Sequence, residues 1–286
     1  MGKHDIQDLL YRSASPLLRR VELRILSGSC GLFGDFFMAL DGLLFCEKAG
    51  LAGRPHWNRR SLYFDAARGD NAWDLFFEPI TRPERKLSLP YFPSARHFQR
   101  DADRSARQVA ASAVARFGRA RPELLEMACR FMDENLQGGD YIGVHVRGTD
   151  ARAGVEGRHV EASAIEAALD EEISKHPSRA IFLATDEQAA VSAFRDRWGD
   201  RVRVRSCIRS SDGRSVHGHY DQGQAGSAYQ KGVDVVVDAL LLAWGKHLIR
   251  GHSRVTMYSL ALNPDLTFTD VDVLRGEKPR APWLYD

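Results

Sequence analysis

Three short stretches of this chain carry residue types that chemistry needs. The first, Val144-His145-Val146-Arg147-Gly148-Thr149-Asp150, puts an imidazole and a guanidinium two positions apart. Residues two apart in a strand share a face, so His145 and Arg147 point the same way. Together at a strand end they fit a diphosphate clamp, with the guanidinium forking onto phosphate oxygens. The same string also admits a structural bridge between Arg147 and Asp150. The second, Phe182-Leu183-Ala184-Thr185-Asp186-Glu187, ends in a Thr-Asp pair of the kind that caps a following helix, and it is read that way here. The third joins Asp234 and Asp238 to His252-Ser253-Arg254. Asp238 lies among Val235, Val236, Val237, Leu240 and Leu241, and a carboxylate in such company needs a partner to offset its desolvation. The N1–H and N2–H of a guanine base match its two oxygens, and backbone amides would also serve. Ser253 and the amides after it fall at an expected helix start, a natural anion site.

The surrounding pattern is strand–helix alternation. Val21–Leu26 reads as a strand, followed by a loop of small residues and a helix from about Phe36 to Ala49 capped by Asp35. Residues Arg54–Pro93 read as loops around a short strand at Ser61–Asp65, and Arg104–Phe117 and Pro122–Leu136 as helices. In the second half, Tyr141–Val146, Ala180–Ala184, Arg201–Arg205, His247–Arg250 and Leu266–Thr269 read as strands. Val160–Lys175, Gln188–Trp198, Val233–Trp244 and Arg254–Leu262 read as helices. Short connections imply parallel sheets covered on both faces. A Gly-, Ser- and His-rich loop at Ser210–Tyr229 interrupts the pattern, and such loops are usually functional. The best boundary, near Gly138-Gly139, divides the chain into residues 1–137 and 138–286. Ligands of open α/β sheets bind at the carboxyl ends of strands, where the three polar stretches fall.

Other classes fit less well. A formal net charge of +2 gives no electrostatic case for nucleic acid or a membrane surface. No stretch approaches the ~20 apolar residues of a membrane span, and the first residues lack the apolar run of a signal peptide. Cys30, Cys46, Cys129 and Cys207 form no CxxC pair and read as free thiols of a reducing compartment, which makes a cytoplasmic location the expectation. Asp270-Val271-Asp272 and Asp101-Ala102-Asp103 spell the DxD of metal-dependent transferases but lie apart from the polar strand ends. His217 and His219 lack further ligands at metal spacing. No metal is expected.

The order and spacing of these stretches resemble the α1,6-fucosyltransferases, including the rhizobial nodulation fucosyltransferases, and more distantly the protein O-fucosyltransferases. The match takes in the glycine loop Cys30–Asp35, Trp57, Trp73–Pro79, Ile142–Asp150, Phe182–Glu187, His217–Tyr220 and Val233–Ser253. Its most specific element is the HxRxxD-type strand end, His145 to Asp150. The resemblance implies an α/β, GT-B-type fold of two Rossmann-like domains, with residues 1–137 on the acceptor side and 138–286 holding a nucleotide sugar. It implies inverting, metal-independent transfer of fucose from GDP-fucose to a glycan or other hydroxyl acceptor. By the same resemblance Arg147 contacts the β-phosphate, His145 and Asp238 the nucleoside, and Ser253 the phosphates, with Gly31, Phe33 and Gly34 of the glycine loop joining the donor site. Two departures stand out. The α1,6 enzymes carry a second Arg where this chain has Gly148, so that one phosphate contact is missing or Arg152 or Arg254 replaces it. Glu156 is the carboxylate nearest the family's catalytic acid, offset by one position, and Asp150 is its rival as general base. A non-catalytic nucleotide- or glycan-binding relative and a transferase of a different nucleotide sugar are the alternatives.

Overall fold

The structure is a computed structural model that describes residues 3–14, 21–27, 31–80, 87–93, 106–149, 162–214, 216 and 227–276. Helix α1 (Lys3–Ser13) precedes strand β1 (Val21–Leu26). β1 is the centre of a three-stranded parallel sheet, with β2 (Ala52–His56) and β3 (Leu87–Tyr91) on either side. Neither edge strand was expected. Each carries a proline, Pro55 or Pro90, which disguises a strand in sequence and is tolerated at an edge. The expected strand at Ser61–Asp65 is instead a run of turns. Ser61 N donates to Asn58 O, Phe64 N to Ser61 O, and Ala67 N to the Asp65 carboxylate, so local turn bonds outweigh the apolar side chains.

The second sheet is wholly parallel. Strands β4 (Tyr141–Val146), β5 (Ala180–Thr185), β6 (Val202–Arg203), β7 (His247–Arg250) and β8 (Thr267–Asp270) lie in the order β6-β5-β4-β7-β8. β4 pairs with β5 from Tyr141–Ala180 to Val146–Thr185, and with β7 from Ile142–His247 to His145–Arg250. The chain works outward from β4 to β6, then crosses back to β7. The strand order therefore reverses between β4 and β7, the place where open α/β sheets hold ligands.

Helix α2 (Leu32–Lys48) follows β1, and α3 (Ala106–Phe117) and α4 (Pro122–Asn135) precede β4. Helices α5 (Ala162–Lys175), α6 (Gln188–Trp198), α7 (Ser227–Trp244) and α8 (Arg254–Leu262) connect the second sheet. Helix α2 starts at Leu32, so Asp35 is not its cap but a buried residue of its first turn, and Gly31 takes the cap position. Helix α7 begins at Ser227, absorbing the end of the expected loop.

Helices α3 and α4 lie against α8 and α7, so elements on both sides of Gly138-Gly139 share one core. Aromatic rings join them. Tyr258 of α8 stacks on Phe33 of α2 with centroids 4.4 Å apart, meets Phe36 edge-on at 5.0 Å, and donates its hydroxyl to Gly118 O. Gly232 lets α7 lie on Phe76, whose ring a methyl group there would overlap. Among the described residues no helix is long and apolar enough to cross a membrane.

Candidate functional site

A cleft enclosing about 970 Å³, part of it open to solvent, lies at the carboxyl ends of β4 and β5 beside the strand-order reversal. His145, Arg147, Gly31, Phe33, Gly34, Asp238, Ser253 and Arg254 all line it. Residues thought from sequence to share a site thus come together from four separate segments. Asp150, Arg152, Glu156 and the His217–Tyr220 stretch lie outside the described residues, as do Cys30 and Asp101-Ala102-Asp103.

Cationic groups line the cleft. His145 is buried near the end of β4, and Arg147, just past it, is half-buried. Two helices begin at the wall. Gly31 to Gly34 open α2, and Ser253 to Val255 open α8. The Ser253 Oγ accepts from Val255 N at 3.2 Å, which leaves its O–H to donate elsewhere. Free amides and helix dipoles at such ends favour an anion. Lys231 of α7 also lines the cleft, buried, and the sequence reading missed it. Its signal was available, since Lys231, Asp234 and Asp238 follow i, i+3, i+7 spacing and so share one helix face. Phe33 is on the wall, and its ring stacks on Tyr258.

The end of β4 is tied to the end of β5. Asp186 accepts from Gly148 N at 2.9 Å and from Thr149 Oγ1 at 2.6 Å. The expected helix cap at Thr185-Asp186 is therefore corrected. Glu187 takes the N-cap position of α6 and makes no side-chain cap bond, while Asp186 ties β5 to the end of β4. Thr185 Oγ1 accepts from Glu187 N at 3.2 Å, and Ser210 N donates to Asp186 O at 2.8 Å. A Cβ built on Gly148 would lie 2.9 Å from both Cβ and Cδ of the buried Glu187 and would overlap its carboxylate. This backbone has no room for a second Arg at position 148.

Carboxylates line the same cleft, Asp186, Asp234 and Asp238 among them. The expected partner of Asp238 was a base or backbone amides. The structure instead supplies Arg205, whose Nη1 donates to Asp238 Oδ1 at 2.9 Å and to Asp234 O at 3.1 Å. Burial raises the Asp238 pKa above the usual carboxylate range, and Arg205 opposes that rise. Burial likewise pushes up the neighbouring Cys207 thiol, which also lines the cleft. Arg205 had been read as the end of a strand. That strand stops at Arg203, because residues 205–208 turn away from the sheet to bond α7.

The DxD string Asp270-Val271-Asp272 does structural work. Asp270 caps a helical turn by accepting from Asp272 N and Val273 N and lies 3.6 Å from Arg250, and Asp272 accepts from His252 N at 2.7 Å. Cys46, Cys129 and Cys207 are free thiols.

No protein-family model matches the chain, and no curated protein matches it. Solved structures do. It is similar to the fucosyltransferase NodZ from Bradyrhizobium with a TM-score of 0.57 and 17% identity, over 88% of this chain and 95% of that one. NodZ α1,6-fucosyltransferase co-crystallised with GDP aligns at 0.54 and 15%, over 87% and 93% of the two chains. The same enzyme soaked with GDP-fucose aligns at 0.51 and 15%, over 85% and 92%. The chain therefore has the expected fold, an α/β, GT-B-type arrangement of two parallel sheets flanked by helices.

Proposed function

We propose that this chain is a glycosyltransferase that transfers fucose from GDP-fucose to a glycan or other hydroxyl acceptor, with inversion and without a metal. The observation that carries the reading is the lining of one cleft. Arg147, Lys231, Arg254 and two helix N-termini border the same cleft as Asp234 and Asp238 of α7. A guanosine diphosphate sugar offers groups that suit both sets, with anionic phosphates and paired N–H donors on its base. The likeness to NodZ, solved with GDP and with GDP-fucose, supports the same ligand.

In this reading residues 138–286 hold the donor and residues 1–137 form the acceptor side. Departure of GDP builds negative charge on the β-phosphate. Arg147, fixed just past β4, meets that charge together with the α8 amides behind Ser253, while His145 and Asp238 hold the nucleoside. Preorganised donors of this kind are usually the largest catalytic contribution. The acceptor hydroxyl loses its proton to a carboxylate following β4, with Glu156 assigned as the base and Asp150 as the alternative.

The test is turnover of GDP-fucose, followed as GDP release with and without an acceptor panel, in the presence and absence of EDTA. Calorimetry with GDP, UDP and ADP accompanies it. The reading requires GDP to bind tightest and GDP release to persist in EDTA. UDP binding as tight as GDP would overturn the donor assignment. GDP binding with no turnover on any acceptor would mark a binding protein rather than an enzyme.

A further inference from the structure

The Asp234–Asp238 wall of the cleft is built around one residue. Arg205 Nη1 serves Asp238 Oδ1 at 2.9 Å and Asp234 O at 3.1 Å, and its Nη2 lies 3.6 Å from Asp234 Oδ1. The guanidinium is thus pinned to two successive turns of α7. Both oxygens of Asp234 are engaged by the protein, because Gln230 Nε2 donates to its Oδ1 at 2.9 Å and Ile208 N to its Oδ2 at 3.0 Å. Arg209 turns away, donating to Arg205 O at 2.8 Å. The segment from Arg205 to Arg209 is therefore stitched to itself and to α7, and among the described residues Asp238 Oδ2 has no hydrogen-bond donor. Asp238 lines the cleft with a side chain 13% exposed.

We infer that Arg205 is the positioning residue that sets base specificity, by locking Asp238 as a carboxylate whose outer oxygen faces the paired N–H donors of a guanine-type base. The inference rests on the nucleoside-diphosphate reading of the cleft. A carboxylate without this tether would rotate about its last side-chain bond and, being buried, would take up a proton. Either change costs it the ability to accept two N–H bonds in one plane. With Oδ1 held, the rotation is removed, and the guanidinium charge favours the ionised form. Arg205 itself is not among the cleft-lining residues, so it acts through Asp238. Cys207, 3.4 Å from Arg205 Nη1, fills the space beside the pair.

The experiment is calorimetry of wild type, R205K and R205M with GDP, IDP, UDP and pyrophosphate. IDP lacks the 2-amino group, so the GDP-to-IDP ratio reports the base contact alone, and pyrophosphate reports the anion-binding groups alone. Wild type is expected to favour GDP over IDP by about tenfold or more, the worth of one hydrogen bond to a charged group. In R205M the ratio should fall to about threefold or less while pyrophosphate affinity is unchanged. R205K keeps a charge but not the two-point bridge, so its ratio should be intermediate. It carries the test if R205M does not fold. A wild-type ratio in both variants overturns the inference. So does a common loss of affinity for GDP, IDP and pyrophosphate, which is the signature of general structural damage. If wild type binds UDP as tightly as GDP, the nucleoside reading itself fails, and that result is visible before any variant is made.

Discussion

Replacing Gly148 with alanine tests whether the single-arginine strand end is enforced by packing. The added Cβ would meet Glu187 at its Cβ and Cδ, each 2.9 Å away. A distant carboxylate could swing aside, but the root of the Glu187 side chain cannot move without its backbone. That backbone is held by Thr185 Oγ1 on Glu187 N, and by Ser210 N on Asp186 O and Gln188 N on Ser210 O. Overpacking of this kind costs about 1–3 kcal/mol. For a chain of this size that lowers the midpoint by roughly 2–12 °C. The bond from Gly148 N to Asp186 would have to stretch, carrying Arg147 with it, so turnover should fall by about 10- to 100-fold. The assay is a double-mutant cycle of G148A, E187A and the pair, read by calorimetric melting and by GDP release. Removing the Glu187 side chain should return about 1 kcal/mol or more of the G148A loss. A G148A protein that melts within about 1 °C of wild type, or a pair that adds without coupling, would refute the packing argument. G148R should not strengthen GDP binding, because the arginine has no path into the cleft.

Other expectations follow from the proposed function. Arg147→Ala should lower turnover by about two to three orders of magnitude in a folded protein, and Arg147→Lys should restore it only in part because a point charge cannot fork; steady-state kinetics decide. Glu156→Gln should slow transfer to acceptor by about a hundredfold and leave GDP affinity unchanged, while Asp150→Asn should weaken GDP binding too; wild-type transfer in Glu156→Gln removes it as the base. The raised Asp238 pKa gives a pH dependence of definite sign. On acidification Asp238 takes its proton above the ordinary carboxylate range, so the GDP-to-IDP ratio should fall there and recover at higher pH. Asp238→Asn should show a flat ratio, and calorimetry across pH 4–8 checks both. The folded state holds that proton more tightly than the unfolded chain, so ionisation of Asp238 subtracts from stability as pH rises through its folded pKa.

The second sheet was readable because two of its strands, YIGVHV and AIFLAT, are largely apolar, and buried parallel strands leave that mark. The first sheet was half hidden. Its edge strands each hold a proline, so only the central Val21–Leu26 announced itself. The cleft residues were found where strand ends carry polar side chains out of apolar runs, which is why His145, Arg147 and Ser253 stood out. Arg205 did not, because its role depends on a turn out of the sheet that no local pattern encodes. Its partner across the turn lies on α7, and only folding brings them to 2.9 Å. Lys231 was hidden differently, since a lone lysine in an apolar helix reads as a solvated face unless its spacing to Asp234 and Asp238 is counted.

The packing of α3 and α4 on α8 and α7 has a consequence for synthesis. A ribosome delivers α4 long before α7, with roughly 100 residues between them, or about 5–20 s at ordinary elongation rates. During that interval the apolar faces of α3 and α4, with Leu124, Ala128, Ala110 and Ala113, have no cover from the helices they finally meet. The nascent first half is then a client for chaperones, and codon choice between Asn135 and Ser227 becomes a lever on soluble yield that leaves the finished protein unaltered.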